Sequence, residues 1–485
     1  MGRMLAMGGS PFSGARSERG RGFVYWPVQT SREEVSHATR AELVRRSREA
    51  FSNDPFVRAL LNNATRMVAG QVPAPATGDR EWNARAVEVW QELTGNPEVL
   101  DVAGKVDAQG LQAAVFLTKF LDGDGGIVLA RSGPDGDGAP RVRLYEGHQI
   151  GDNRQAKDRD RWEDGLWIDG LGKAQRYRVQ LERGRYRDFG RQDFIHFLDY
   201  ERPGQMRGLP RTYHLVNGSV DQREVEYLWM GGIKTAAQVG MYLKNVKKTA
   251  DGPVGFGSSL TQVNNRAGSG SSRKEGHHTI DEVYNESTIL ELEDEELQLL
   301  HDQRPMPQQV EYLDYRKRAM ALGFGLPVEV VWNMANLNAA NARATLLFAQ
   351  QFVDREQRWW AGGPGSRLYR WVMAVGIKMG MLGLPEDGQW WRHVWRPTAR
   401  LSADFAKDGR VMLEILNTGN MSPDRWYAMQ GMDVEEEDRR TVERWAQRRR
   451  LCEEAGLDFA GVFGRPNGTG APVGAAPEPG AVEGE

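Results

Sequence analysis

The sequence predicts an α+β fold in which a helical region is followed by a β-rich region and then by long helices. Residues 40–120 place apolar side chains at the spacing of one helix face. Residues 125–200 instead alternate apolar with polar side chains, as half-buried strands do. After Pro210 the helical pattern returns and covers most of the remaining chain. These two changes in the spacing of apolar side chains divide the sequence into its main parts.

The composition limits the classes of function. The 485 residues include 63 basic and 66 acidic side chains, which gives a net charge of −3. Proteins that bind nucleic acid tightly usually carry a clear basic excess, so tight binding is not expected. The single cysteine, Cys452, excludes a disulfide framework and a cysteine-rich metal site. Residues 371–384 are apolar but short and contain Lys378, so we predict a buried helix there and no membrane span.

Both ends of the sequence are predicted to be flexible. Residues 1–39 form a basic arm that lacks the apolar core of a signal peptide. Residues 465–485 are rich in Gly, Pro and Ala and bury too little apolar surface to order themselves.

Local signals mark one helix and one hairpin. Asp54 stands before Pro55, an arrangement typical of an N-cap and a first helical turn. In the β-rich region, Asp169-Gly170 predicts the turn of a hairpin. The residues after Pro55 that predict one buried helix face are Val57, Leu60, Leu61, Ala64 and Met67.

A corner rich in proline and glycine, FIHFLDYERPGQMRGLPRTYHLV at 194–216, separates the β-rich region from a predicted helix. That helix extends to about Val246 and contains Gly231-Gly232. The glycines fit either a break between two helices or close approach of another helix, which the small residues Ala236, Ala237 and Gly240 favour.

The next segment leaves the helical pattern and then returns to it. Residues 247–308 contain a Gly/Ser-rich loop and an acidic strand, and a second helix follows until the sequence GFGLP. The polar residues 332–341 predict a loop, and a long amphipathic helix begins at about Asn338.

The search for catalytic chemistry finds no convincing site. His277-His278 lacks further ligands at metal-binding spacing and fits an exposed loop. The DGDGG sequence at 122–126 lacks the glutamate of a calcium loop and is interpreted as a turn. The acidic residues near 291–296 fit a solvated strand better than a magnesium site, because consecutive carboxylates on a strand point in different directions. We therefore expect no enzyme activity, no cofactor and no metal.

One resemblance explains the corner. The string HFLDYERPGQMRGLP, residues 196–210, resembles the signature of lambda-type bacteriophage portal proteins. Residues 46–71, the hairpin at 167–181 and the segment 323–347 resemble further motifs of that family in the same order. The chain departs from the family pattern at Ala339-Ala340-Asn341, where a Tyr-Ser-Ser run is common. The motif residues given a structural role are Arg202, Pro203, Gly204, Gly208, Pro210, Gly325 and Pro327.

The resemblance implies a subunit of a ring built from several parts. They are a flexible N-terminal arm (1–39), a wing that is helical and then β-rich (40–211), a descending stem helix (212–246), a small α/β clip (247–308), an ascending stem helix (309–323), a tunnel-loop region (324–342), helices that support the wing and crown (343–431), a helical crown (432–464) and a disordered tail (465–485).

The resemblance also implies a function. Portal subunits form a homo-oligomeric, twelve-fold ring at one capsid vertex, through which double-stranded DNA is packaged and ejected without sequence specificity. The implied partners are the large terminase subunit, the major capsid protein or scaffold, and a head-tail adaptor protein, with no membrane. The implied location is the virion, after assembly in the host cytoplasm.

Site residues follow from the same resemblance. The scattered basic residues at 244–248, together with Arg316, Lys317 and Arg318, fit either a DNA conduit or ion pairs between subunits. Candidates for the DNA channel are Asn333, Asn336, Asn338, Asn341, Arg343, Lys244, Lys247 and Lys248. Candidates for docking of the motor on the clip are Glu291, Glu293, Asp294, Glu295 and Glu296.

Two other functions remain open from the residues alone. The acidic cluster could bind metal in a DNA-processing enzyme, which magnesium-dependent cleavage of DNA would reveal. The chain could also be a tail or baseplate component, for which rings of six or three would be expected instead of twelve.

Overall fold

The computed structural model describes most of the chain. The described residues are 30–131, 138–151, 161–182, 184–237, 241–245, 295–299, 307–332, 338–401, 405–429, 432 and 434–463. The chain divides into two compact units: residues 1–219 with 317–485, and residues 220–316.

Helices dominate the described residues. In chain order they are α1 (Ser31–Glu34), α2 (His37–Asn53), α3 (Pro55–Val68), α4 (Arg80–Thr94), α5 (Pro97–Leu100), α6 (Ala108–Asp122), α7 (Val216–Ala237), α8 (Pro307–Phe324), α9 (Val328–Val331), α10 (Ala339–Gly362), α11 (Pro364–Lys378), α12 (Phe405–Asn417), α13 (Pro423–Met429), α14 (Val434–Glu454) and α15 (Phe459–Phe463).

The strands pair antiparallel throughout the described sheets. A three-stranded sheet has the order β3-β2-β8, a four-stranded sheet has the order β4-β5-β6-β7, and two-stranded ladders join β1 with β11 and β9 with β10. In chain order the strands are β1 (Val72–Pro75), β2 (Asp124–Arg131), β3 (Pro140–Glu146), β4 (Trp162–Glu163), β5 (Leu166–Ile168), β6 (Ala174–Glu182), β7 (Arg185–Gly190), β8 (Phe194–Leu198), β9 (Met241–Asn245), β10 (Glu295–Leu299) and β11 (His393–Arg396).

The α+β prediction is confirmed for the described residues, and so is the local signal at Asp54. Its side chain accepts hydrogen bonds from the N–H groups of Phe56 and Val57 and so caps α3. The predicted apolar face is buried at Val57, Leu60, Leu61 and Ala64, whereas Met67 is only partly buried. Short-range spacing therefore located this helix correctly.

Two apolar cores hold the larger unit together. The main core packs α3, α4, α6, α10 and α11 against the three-stranded sheet, and its largest fully buried side chain is Trp360. A smaller core lies between the three-stranded and four-stranded sheets, where the rings of Tyr177 and Phe194 are 4.8 Å apart. The predicted buried helix at 371–384 corresponds to the second half of α11, which ends at Lys378.

The interpretation of residues 122–126 as a turn is wrong for its second half. Asp124, Gly125 and Gly126 begin β2. A Cβ on Gly126 would lie 1.9 Å from the ring of Phe194, so the strand is glycine-rich because aromatic side chains of β8 cover it. The interpretation missed a constraint that comes from a distant strand.

Three predicted boundaries also need correction. The arm predicted for 1–39 is described only from residue 30, and it already contains α1 and the start of α2. The helix predicted to about Val246 ends at Ala237, because Met241–Asn245 pairs as β9 with β10. The loop predicted at 332–341 is shorter, because α10 begins at Ala339.

The prediction of a break at Gly231-Gly232 is wrong, since α7 passes through both residues. Among the described residues, a Cβ on Gly231 would have no neighbour within 4 Å. Close approach of another helix therefore stays a prediction.

The other predicted regions are described in part. The helix predicted at 309–323 is present as α8, and helix α14 lies in the segment predicted to be the crown. His277-His278 and the tail at 465–485 lie outside the described residues. Within the described residues, no helix has the length and apolar character that crossing a bilayer requires.

Candidate functional site: the 199–211 corner and the flanks of residues 333–337

The corner between β8 and α7, residues 199–211, depends on close contact between two backbone segments. A Cβ on Gly208 would lie 1.9 Å from the carbonyl oxygen of Gly123, and a Cβ on Gly123 would lie 2.2 Å from the backbone of Leu209. Gly123 also has a φ of +88°, a conformation that L side chains rarely adopt. Both positions therefore require glycine, and this explains one glycine of the motif.

Gln205 holds the turn that precedes this contact. Its side-chain oxygen accepts from the N–H of Glu201 at 2.8 Å, and its side-chain nitrogen donates to the carbonyl of Arg207 at 3.0 Å. Gly204, which lies between Glu201 and Arg207 in the sequence, has a φ of +81°. Pro203 is exposed, whereas Pro210 at the far end of the corner is buried.

Arg207 anchors the corner to β2 and to the segment between β3 and β4. Its guanidinium donates to the Asp124 carboxylate at 2.5 Å, to the carbonyl of Gly147 at 2.7 Å and to the carbonyl of Ile150 at 2.8 Å. The N–H of Gly208 donates to the same carboxylate at 3.1 Å. Removing one partner from such a buried pair costs about 3–5 kcal/mol, because the other charge is left uncompensated.

The charges around Arg207 stabilise the ionised forms of Arg207 and Asp124. Burial acts to lower the pKa of the Arg207 guanidinium, but the carboxylates of Asp124 and Asp164 outweigh it and raise that pKa above its ordinary value. Burial likewise acts to raise the pKa of Asp124, yet Arg207, His196 and Arg40 keep it well below its usual range. The pair is therefore ionised near neutral pH.

Arg211 forms a second buried network, which joins the corner to α6 and α10. Its guanidinium donates two hydrogen bonds to Asp199, at 2.6 and 2.7 Å, and a third to Glu356 at 3.0 Å. Lys119 on α6 pairs with Glu356 and lies 3.2 Å from Asp199. Arg211 and Lys119 thus pair with the same two carboxyl groups, those of Asp199 and Glu356, inside the main core.

Burial acts to raise the pKa values of the two carboxylates in the Arg211 network. The charges of Arg211 and Lys119 outweigh burial and lower the pKa of both Asp199 and Glu356. Both carboxylates therefore contribute to stability as ions.

Arg202 differs from the other motif arginines because it is exposed. It forms an ion pair with Glu34 of α1 at the surface. Exposed pairs contribute little stability, typically about 0–1 kcal/mol. The structural roles in this corner therefore lie mainly with Gly208, Arg207 and Arg211.

The second motif, GFGLP, ends α8 and turns the chain towards residues 333–337. Gly325 has a φ of +106°, and its N–H donates to the carbonyl of Ala321 at 3.0 Å. Leu326 is fully buried, and Pro327 is the N-cap of α9. This is the glycine-terminated helix end that a left-handed residue allows.

Contacts within the chain hold the described residues on either side of 333–337. Before them, the ring of Trp332 lies 4.2 Å from the Lys317 ammonium and makes an edge contact with Phe56. After them, the side chain of Asn338 accepts from the N–H of Asn341 at 2.8 Å and caps α10. The structure therefore places Asn341 and Arg343 in the first turns of α10, while Asn333 and Asn336 lie outside the described residues.

Three basic residues of α8 have partners in their own chain. Arg316 lies 3.6 Å from Asp221, and Arg318 lies 2.5 Å from Glu329. Lys317 covers Trp332, as described above. These three side chains therefore have partners within the chain, and the predicted pairs between subunits stay a prediction.

Three of the candidate residues for the channel and for motor docking lie in the β9–β10 ladder: Lys244, Glu295 and Glu296. Lys244 on β9 stands opposite Glu296 on β10, and Asn245 stands opposite Glu295. The remaining candidates of this group, Lys247, Lys248, Glu291, Glu293 and Asp294, lie outside the described residues.

Among the described residues, Asp122, Glu146 and His148 bring ligand atoms within 4.8 Å of one another. Arg48 already occupies the space between them, because it donates to Asp122 at 2.6 Å and to Glu146 at 3.0 Å. A guanidinium bound by two carboxylates leaves them poorly placed to bind a metal cation.

The family model described as phage portal protein, lambda family, matches residues 19–357. This match includes the corner, α7, α8 and the turn at Gly325. The chain belongs to the lambda family of phage portal proteins. The resemblance read from the sequence motifs is thereby confirmed.

The portal chain is also similar to parts of solved particles. One is a chain of the virion of the native gene transfer agent particle, which is 14% identical. The match covers 81% of this chain and 93% of that chain, and the TM-score is 0.42. For a chain of the neck of that native particle, computed with C12 symmetry, the identity is 14%, the coverage is 82% and 94%, and the TM-score is 0.43.

A third similar structure is an HK97 family phage portal protein from Corynebacterium diphtheriae. It is 11% identical, covers 62% of this chain and 83% of that chain, and has a TM-score of 0.26. No curated protein sequence matches the chain.

Portal proteins of this family are structural, non-enzymatic parts of the capsid, so the portal chain is not an enzyme.

Sequence reasoning missed most of the residues that fix the portal corner. Asp124, Arg211, Lys119 and Glu356 lie on four different segments and meet only in the folded chain. One signal was available: a lysine and two aspartates stand inside the apolar run VFLTKFLDGDGG. Charged residues in a buried segment require partners, so this run predicts a buried ion pair.

Proposed function

We propose that the chain is the subunit of a twelve-fold portal ring at one capsid vertex, and that double-stranded DNA passes through the ring during packaging and ejection. The ring belongs to the virion and assembles in the host cytoplasm. The observation that carries the proposal is the family match over residues 19–357, which includes both long helices α7 and α8 and the segment between them.

The exposed apolar side chains of α7 and α8 support assembly with further copies. On α7, Tyr227 is 78% exposed and Leu228 is 60% exposed. On α8, Tyr312 and Tyr315 are also exposed. Exposed large apolar side chains of this kind are typical of an interface, because leaving them in water is unfavourable. In the proposed stem, these helices pack against the neighbouring subunits of the ring.

The proposed channel is lined by small polar residues and carries little net charge. Asn338 and Asn341 are exposed at the start of α10, next to residues 333–337. Each phosphate that a protein neutralises adds affinity, so a channel through which DNA moves should bind few phosphates at once. The charge balance of 63 basic and 66 acidic residues fits a conduit of this kind.

The proposed clip includes the β9–β10 ladder. Because β9 begins at Met241, this part starts before the predicted residue 247. Its acidic residues are the proposed docking surface for the large terminase subunit. The head-tail adaptor protein and the major capsid protein or scaffold are the other proposed partners, and the wing and crown are the proposed remaining parts.

Electron microscopy of the purified chain tests the proposal. Views along the ring axis should show twelve-fold rings with a central hole. Rings of three or six would support a tail or baseplate component instead. Monomers across a wide concentration range would contradict the portal proposal, as would magnesium-dependent DNA cleavage by the purified chain.

A further inference from the structure

The four-stranded sheet β4–β7 has two faces of different chemistry. Side chains that stand directly opposite each other on antiparallel neighbours lie on the same face, so the strand pairing assigns each residue to a side. Leu166, Tyr177 and Phe189 share one face and belong to the smaller core. The other face belongs to neither core and is termed the Trp–Arg face. Its residues include Trp162, Trp167, Arg176, Arg178, Tyr186 and Asp188.

Arg178 is already paired on the Trp–Arg face. Its guanidinium donates to both carboxylate oxygens of Asp188, at 2.7 and 2.9 Å. It also lies 4.7 Å from the centre of the Trp162 ring. The carboxylate of Asp188 is therefore used within the face and does not compensate a second arginine.

Two further arginines on the Trp–Arg face have no carboxylate partner. The guanidinium groups of Arg161 and Arg176 lie 5.5 and 5.9 Å from the centre of the Trp167 ring. Both residues are exposed, and neither forms an ion pair within the part of the chain that the structure describes. Two uncompensated positive charges thus stand beside one indole ring.

The chemistry of this face defines what it can bind. A guanidinium that contacts an aromatic ring is held in place by the ring, while its N–H groups stay free to donate to a carboxylate in pairs. Such paired, charge-assisted hydrogen bonds are among the strongest in proteins. Tryptophan, tyrosine and arginine are also the residue types enriched at the energetic centres of protein interfaces. The composition of the face therefore favours a protein partner that carries carboxylates.

We propose that the Trp–Arg face is the docking surface for an acidic segment of another protein. Arg161 and Arg176 each bind a carboxylate of that segment, and the indole of Trp167 packs against the carbon chains of its side chains. Duplex DNA fits this face less well, because its closely spaced phosphates would lie beside the Asp188 carboxylate. The assignment goes beyond the portal function and does not depend on it.

Fluorescence polarisation with the purified full-length protein tests the surface, and the probe is a dye-labelled peptide of six glutamates. The comparison probes are a peptide of six glutamines and a short DNA duplex, both with the same dye. At about 50 mM salt, where charges are weakly screened, we expect saturable binding of the glutamate peptide and at least tenfold weaker binding of the glutamine peptide. Absence of saturable binding of the glutamate peptide overturns the proposal. Tighter binding of the duplex that requires the same arginines overturns it in favour of nucleic acid.

Two double variants locate the binding. Arg161→Gln with Arg176→Gln removes both charges and should weaken binding of the glutamate peptide at least fivefold, with Tm nearly unchanged because both residues are exposed. The matched control, Arg444→Gln with Arg449→Gln, removes the same charge from exposed positions on α14 and should bind as the wild type does. Equal loss in the two double variants overturns the proposal, since binding would then follow net charge alone. Unchanged affinity in the first variant overturns it as well.

Discussion

At the scale of single residues, the corner at 199–211 depends on glycine for steric reasons. We predict that Gly208→Ala lowers the free energy of unfolding by about 1–3 kcal/mol or more, because its Cβ would lie 1.9 Å from the carbonyl oxygen of Gly123. Urea unfolding measures the change. The control is Gly170→Ala, since a Cβ there has no neighbour within 4 Å in the described part of the chain. Equal effects of the two substitutions would contradict the close contact.

The buried charges predict how stability depends on pH. Burial lowers the pKa of His196, and the charges of Arg207 and Arg40 act in the same direction, while Asp124 opposes them. The imidazole of His196 therefore binds a proton more readily in the unfolded chain than in the folded chain. Its contribution to stability is complete above about pH 6.5 and is lost as the pH falls below that value.

We predict that His196→Gln shows a smaller fall in Tm between about pH 7 and pH 5 than the wild type. The pKa values of His148, His214 and His393 are also lowered, chiefly by burial, so the variant should retain part of the fall. Below about pH 4, protonation of Asp124, Asp199 and Glu356 should destabilise both proteins, since the pKa of each is lowered in the folded chain. Identical Tm curves above pH 5 would disprove a role for His196.

At the scale of elements, two substitutions of Asn338, the N-cap of α10, distinguish its capping role from a role in the proposed channel. Asn338→Ala removes the cap and should cost about 1 kcal/mol in thermal unfolding. Asn338→Asp keeps an oxygen that caps the helix but adds a negative charge at the proposed channel. We predict that Asn338→Asp leaves Tm nearly unchanged and reduces the DNA content of purified particles. Full DNA content would remove this residue from the channel.

Short-range patterns predicted elements well, and long-range pairing explains the failures. The cap at Asp54 and the face of α3 depend on residues within four positions, so the sequence showed them directly. Strand β9 pairs with β10, about 50 residues later, and its short apolar run is equally compatible with a helix. The sequence therefore predicted α7 correctly but not where it ends.

The candidate site was predicted unevenly for a similar reason. The motif strings located the corner and the Gly325 turn, but they gave no physical role to Asp124 or Glu356. Those residues contribute through contacts with Arg207 and Arg211, 83 and 145 positions away in the chain. No local spacing rule connects residues at such distances.

At the scale of the whole molecule, ring formation should depend on the exposed tyrosines of α7 and α8. We predict that the double variant Tyr227→Ala, Tyr315→Ala forms rings only at concentrations at least tenfold higher than the wild type needs, with Tm of the monomer nearly unchanged. Mass photometry across a dilution series measures the shift. The matched control is Leu171→Ala, at a hairpin turn where the side chain is 97% exposed. A similar shift in the control would indicate general surface effects.

The ion pair between Lys119 and Glu356 can form only after the long chain between the two residues has been made. The two residues are 237 positions apart. At about 5–20 residues per second, the ribosome needs roughly 10–50 seconds to make the chain between them. During that time the lysine has no Glu356 to pair with, and the main core cannot close around it. A chain still being translated therefore lacks its finished main core until Glu356 has emerged.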